Sequence, residues 1–211
     1  MLNQEIKDKK RVLVEDASSS SKDIDTGLYP YTDSYHTTTG AVCTGLGVPE
    51  EVIETTIGVF SAVSAIRKDL FVAERLREFP NRIRQNDPEY ESINKRFTNE
   101  YQISGDEYAF GWTDLNLIRH AEMLNKLDSI MLTHLDVLDD VEIIKMCGQY
   151  EPEEGSCLRD VYKTTLPANI DTWEKLVPDF IEVPGWLQDI NHARDISDLP
   201  NEAQTFIRKI E

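Results

Sequence analysis

The tetrad Thr133-His134-Leu135-Asp136 directly follows the apolar run Ile130-Met131-Leu132. An aspartate held there offers two acceptor oxygens side by side. It could take one hydrogen bond from guanine N1–H and another from the exocyclic amine. Tetrads that read guanine this way carry a lysine where His134 stands, its stem packed on the base. Asp136 could instead cap the strand end or the next turn, and on these four residues alone both readings stay open.

Few other residues are spaced for chemistry. His36, His120, His134 and His192 are scattered. None lies three or four positions from another His or from a Cys, so no metal site is assigned. The run Ser18 to Ser21 could hold a phosphate through backbone N–H groups, or could be a flexible loop. The acid groups Asp136-Asp139-Asp140 and Glu151-Glu153-Glu154 read as solvated loop faces. The patterns GxxxxGK[ST], GxSxG and HExxH are absent, so the sequence carries no phosphate cradle of the usual kind and no catalytic residue is named.

Composition narrows the partners. The 211 residues hold 22 Lys+Arg against 39 Asp+Glu, a net charge of −17. So acidic a chain repels phosphate backbones and anionic lipid, which argues against nucleic acid or a membrane as partner. No apolar run approaches the ~20 residues of a membrane helix. The opening MLNQEIKDKK lacks the apolar stretch of a secretory signal. Cys43, Cys147 and Cys157 are odd in number and far apart, which fits free thiols in a reducing, cytoplasmic setting.

The elements that must position these residues follow from pattern. Residues 1–9 read as a helix tail. Arg11 to Glu15 reads as a short buried strand, apolar in its middle. Asp23 to Thr44, rich in Thr, Ser, Tyr, Asp and Gly, has no periodicity and reads as an ordered, ligand-approaching loop. Pro49-Glu50-Glu51 reads as a helix start. Val52, Ile53, Thr56, Val59, Phe60, Val63 and Ile66 then form a stripe at helical spacing. Charge-dense helices broken near Pro80 and Pro88 are expected over 71–99, and a helix over 110–125. Ile130 to Thr133 and Val141 to Tyr150 read as strands, the first buried. Asp171 to Leu176 reads as a short helix, Pro184-Gly185-Trp186 as a turn, and Asn201 to Ile210 as a last helix. The order indicates a single α/β domain over 1–211, a partial and mostly parallel sheet with flanking helices.

Taken together, several segments resemble adenylosuccinate synthetase. Arg11-Val-Leu-Val-Glu-Asp-Ala followed by Asp23-Ile-Asp-Thr-Gly-Leu-Tyr-Pro-Tyr is similar to that family's VLVEGA…DIDxGTYPY. Thr37 to Gly47 (TTTGAVCTGLG) is similar to its NTTxGGVCTGLG. Gly111-Trp-Thr-Asp-Leu115 resembles GWLDL, and Leu132 to Asp139 (LTHLDVLD) resembles LTKLDVLD. Pro184-Gly-Trp186 and Asp198-Leu-Pro200 fall where LPGW and DLP do. The order matches from about Lys10 to Glu211, and the Cys and Leu-Asp-Val-Leu-Asp variants look more eukaryotic than bacterial.

The resemblance implies a P-loop-NTPase-like fold and a GTP- and Mg²⁺-dependent ligase that joins aspartate to IMP in purine synthesis. It covers only the C-terminal half of that enzyme. The other half would carry the glycine-rich phosphate loop and the catalytic Asp and His, and a guanine-closing loop would follow the matched part. Thr133, His134 and Asp136 are then the guanine-binding positions. Ser18 stands where a Gln touches IMP, and Asp33 where a Thr meets the IMP phosphate. Asp106 adds a further acid to that pocket. The aspartate loop, TTGRxRR in the family, reads Ser104-Gly105-Asp106-Glu107-Tyr108 with no arginine. An arginine fork binds carboxylate or phosphate through paired charged hydrogen bonds, and acids there repel the same ligands. The expectation is a homologue that holds no cofactor of its own and is catalytically silent alone. Its alternative is an interaction module that pairs with itself or with a full-length synthetase, or that keeps weak guanine binding.

Overall fold

The computed structural model describes residues 2–15, 18–67, 80–102, 108–154 and 166–211; the side chains of Ile66 and Arg67 are not described. Six helices are described: α1 (Leu2–Lys7), α2 (Thr39–Leu46), α3 (Pro88–Tyr101), α4 (Leu115–Asn125), α5 (Ile170–Trp173) and α6 (Asn201–Ile210). The seven described strands are β1 (Ile57–Ser61), β2 (Val63–Arg67), β3 (Arg82–Ile83), β4 (Tyr108–Asp114), β5 (Ser129–Thr133), β6 (Ile143–Pro152) and β7 (Leu176–Pro184).

The fold is α/β, with one parallel pair and one mixed sheet. β1 and β5 run parallel, Ile57 opposite Ser129 and Ser61 opposite Thr133. The larger sheet runs β2-β4-β6-β7, with β3 also on β4. Within it β4 and β6 are parallel, and the other pairings are antiparallel. One continuous stretch supplies both β1 and β2. After Ser61 the chain leaves the first sheet, Ala62 N–H donates to Thr133 C=O at 2.9 Å, and β2 joins the second.

The main core lies between β2, β4, β6 and α3, with Phe97, Phe110, Ile83, Ile93, Ile144 and Met146 fully buried. Phe97 stacks on Phe110 at 4.9 Å. A second cluster gathers Leu28, Cys147, Tyr150, Ile170, Trp173 and Leu176 on the other side of β6.

Several expectations need correction. Arg11 to Glu15 forms no strand: Leu13 is 92% exposed, and no described strand pairs with the segment. The helix expected after Pro49 is a single 3-10 turn, Glu50–Val52, followed by β1 and β2. The β-branched residues Ile53, Thr55, Thr56, Ile57 and Val59 favour extended backbone, and their spacing fits alternation as well as a helix. The helix expected over 110–125 begins only at Leu115; its first five residues belong to β4. Pro88 opens α3 at its first turn, where the missing N–H costs nothing. β5 is a strand as expected but is not buried: Met131 is 55% exposed, and Val59 beside it on β1 66%. The loop expected over 23–44 gives way at Thr39 to helix α2, which runs on to Leu46, and the strand β7 stands where no strand is expected.

Candidate functional site

The turn after β5 carries the tetrad. Thr133 ends the strand, its hydroxyl donating to Phe60 C=O at 3.0 Å across to β1. His134 follows in a left-handed conformation, φ 56°, and turns the chain into the 3-10 segment Leu135–Leu138. Its Nδ1 lies 3.0 Å from the Ser61 hydroxyl and 3.1 Å from that of Thr133. The imidazole packs against Tyr101 edge-on at 4.6 Å and near Phe97 at 5.6 Å. It is therefore an inward-held ring.

Asp136 sits in the first turn of that 3-10 segment. Its carboxylate accepts the Tyr101 O–H, whose oxygen is 2.9 Å from each of the two Oδ atoms. The structure thus shows Asp136 engaged by a side chain from α3. Glu100, one residue before, lies against the same carboxylate, and that contact together with burial holds its carboxyl above the ordinary range. Arg96 reaches Glu100 at 3.0 Å and Asp140 at 2.9 Å.

Asp139 is a residue that sequence reasoning misplaced. It is fully buried, not a solvated loop acid. It accepts the Trp186 indole N–H at 2.7 Å and Ile190 N–H at 3.3 Å. Burial raises its pKa, and these donors and the Arg96 guanidinium offset only part of that. A buried carboxylate needs such partners. The signal was present: the LDVLD acid is an acceptor and the PGW indole a donor, though nothing local pairs them. Asp139 fixes the far end of the tetrad's turn on Trp186, itself packed on Phe206 of α6.

The second group lies on the loop 18–47. Ser18 and Asp33, both assigned to the IMP side by resemblance, are in direct contact, the Ser18 hydroxyl donating to the Asp33 carboxylate. Asp33 N–H donates to Lys22 C=O at 2.7 Å. The serine run is ordered: Ser19 caps a 3-10 turn over Ser20–Lys22, and the Ser20 hydroxyl accepts from Asn125 at 2.8 Å. Asn125, buried at the end of α4, also accepts Thr39 N–H at 2.8 Å and so ties α4 to the start of α2. Asp23, also buried, takes Asp25 and Thr26 N–H on one oxygen and Thr37 N–H on the other. Burial alone would raise its pKa, but those bonds outweigh it and hold the carboxyl below the ordinary range. Neither Asp23 nor Asn125 was singled out from sequence.

Of the aspartate-loop positions, Ser104, Gly105, Asp106 and Glu107 lie outside the described residues. Tyr108 opens β4, half-buried, opposite Arg67. A cleft of about 330 Å³ beside α2 and α4 is lined by Glu50, Glu51, Glu54 and Asp128 with Lys126, a wall that repels phosphate. Among the described residues no group of three or more His, Cys, Asp or Glu side chains could hold a metal ion.

An α/β sheet whose parallel strand runs into a Thr-x-x-Asp turn, at the point where the neighbouring strand changes sheets, defines the class. The comparisons define the family. The family model for adenylosuccinate synthetase matches residues 1–211, and the chain belongs to that family. It is 35% identical over 212 residues to the adenylosuccinate synthetase of Geotalea daltonii, covering 100% of this chain and 46% of the relative. It is 34% identical over 206 residues to that of Paramecium tetraurelia, covering 97% and 44%. Bacterial and eukaryotic relatives thus match at similar identity. The fold also matches the structure of fully ligated adenylosuccinate synthetase from Plasmodium falciparum, with a TM-score of 0.83 and 26% identity, covering 100% of this chain and 47% of that one. The chain spans about half the length of the curated relatives it matches.

Proposed function

We propose that this chain is a guanine-nucleotide-binding homologue of adenylosuccinate synthetase that does not form adenylosuccinate by itself. The observation that carries the reading is the place of Asp136. Its carboxylate stands just past the C-terminal end of a parallel strand, beside the point where β1 gives way to β2. In open α/β sheets such crevices are where ligands sit. The residue types Thr133, His134 and Asp136 match a guanine-reading tetrad except at the histidine.

Ligases that spend a nucleoside triphosphate work by positioning phosphates and neutralising their charge. At the two described positions assigned to IMP, a serine and an aspartate bond to each other. A net charge of −17 adds long-range repulsion. A cytoplasmic location fits this reading, and no helix among the described residues is long and apolar enough to cross a membrane.

Two measurements test it. The purified chain, given IMP, aspartate, GTP and Mg²⁺, should yield no adenylosuccinate above a protein-free control; steady product would overturn the silent reading. Calorimetry with GDP should give heat that Asp136→Ala abolishes, whereas equal heats from both proteins would dispose of the guanine reading.

The open faces of β1 and β5 favour a second role beside the first. Parallel strands are nearly always covered on both sides, yet Ile57, Val59 and Met131 are each more than half exposed. Pairing with a second copy or with a full-length synthetase would cover them. Co-elution with a full-length relative on a sizing column, or elution of the chain alone above its 24.2 kDa mass, is the expected result, and two independent peaks with the chain at 24.2 kDa would exclude it.

A further inference from the structure

We infer that Tyr101 is a built-in competitor for the guanine-reading carboxylate: its hydroxyl closes Asp136 in the free protein, and a guanine nucleotide must displace it to bind. The inference rests on the reading of Asp136 given above. Tyr101 is the last residue of α3, and its oxygen is 2.9 Å from both Oδ1 and Oδ2 of Asp136. Equal distances put the hydroxyl on the bisector of the carboxylate. Guanine must approach along that same line, because N1–H and the exocyclic amine deliver one donor to each oxygen. A phenol oxygen and a purine edge cannot both occupy it.

The ring contributes as well as the hydroxyl. It stands edge-on to His134 with centroids 4.6 Å apart and an interplanar angle of 85°. The residue in the place of the base-covering lysine is therefore covered by Tyr101 on one side. On the other, Ser61 and Thr133 hold its Nδ1. The last two turns of α3 dock on the same segment, Arg96 bonding Asp140 and Glu100 lying against Asp136. Tyr101 is nonetheless 37% exposed. A rotation about its side-chain bonds would carry it into water without opening the Phe97–Phe110 core.

Displacing a hydroxyl bonded to a charged acceptor weakens nucleotide binding by roughly tenfold to a hundredfold. Tyr101→Phe removes the hydroxyl and keeps the ring on Phe97 and His134. Fluorescence titration of the full chain with a labelled GDP should therefore show Tyr101→Phe binding at least tenfold tighter than the native protein. The gain should be confined to guanine: affinity for labelled ADP should not rise with it. Asp136→Ala in the Tyr101→Phe background should abolish the gain. Unchanged or weaker GDP binding by Tyr101→Phe, with Asp136→Ala still abolishing it, would overturn the competitor while leaving the guanine reading intact. GDP bound equally well with and without Asp136, or no GDP bound even by Tyr101→Phe, would remove the guanine reading and the competitor together. A parallel rise for GDP and ADP would mark Tyr101 as a general steric plug and refute competition for the carboxylate.

Discussion

Replacing Asp114 with asparagine isolates one buried charge at the junction of β4 and α4. Asp114 caps α4: one oxygen accepts Asn116 N–H at 2.9 Å and Leu117 N–H at 3.1 Å. The other accepts the Tyr150 hydroxyl. Burial pushes its pKa from 3.8 up to about 6, although the tyrosine and the two N–H groups pull the other way. The folded protein therefore binds this proton more tightly than the unfolded chain does. Folding stability from this group is fully present below the unfolded value, falls as pH rises from about 3.8 to about 6, and is level above that. The whole loss is about 3 kcal/mol, at about 1.4 kcal/mol per tenfold change in proton affinity. Asparagine cannot ionise, caps a helix as well as aspartate does, and offers its amide N–H to the Tyr150 oxygen. Because the sequence pI is near 4.6, urea unfolding is best followed from pH 5 upward. The stability of Asp114→Asn minus that of the native protein should grow by about 1.3 kcal/mol between pH 5 and pH 7. A difference that stays flat over that range would refute the reasoning, because every other carboxylate is common to both proteins.

Two further substitutions probe what holds the site. Asp139→Ala strands the buried Trp186 indole N–H, and we expect a loss of roughly 2–4 kcal/mol in urea unfolding. Adding Trp186→Phe should cost clearly less than the sum of the two single changes; simple additivity would mean that the 2.7 Å bond carries no coupling. Asn125→Ala cuts the ties to Ser20 and Thr39 and should cost roughly 2–3 kcal/mol. It should also expose the 20–38 segment to limited proteolysis, and an unchanged cleavage pattern would show that the loop is held by other contacts.

What the sequence made legible depended on whether its signal was local. The Asn201–Ile210 helix, the strand before Thr133 and the residue types of the tetrad could all be read directly. Ile57 to Arg67 misled because a stripe of Val, Ile, Phe and Ala satisfies a helical and an extended period at once. β7 was hidden by Pro178, which a strand tolerates at a sheet edge, and β7 is the edge strand beside β6. Asp139 and Tyr101 were out of reach for a different reason. Their partners, Trp186 and Asp136, are 47 and 35 residues away, and only the fold brings them together. Ser18 and Asp33 were each flagged by resemblance, but that they bond to one another is a tertiary fact.

The exposed apolar side chains of β1 and β5 sit on a molecule with seventeen excess negative charges. In dilute salt, where the Debye length is about 10 Å at 0.1 M, like charge holds two such molecules apart. At about 1 M the screening length shrinks to about 3 Å, and those apolar faces are left to find each other. Ionic strength thereby becomes the dial between a dispersed chain and one that stacks on itself.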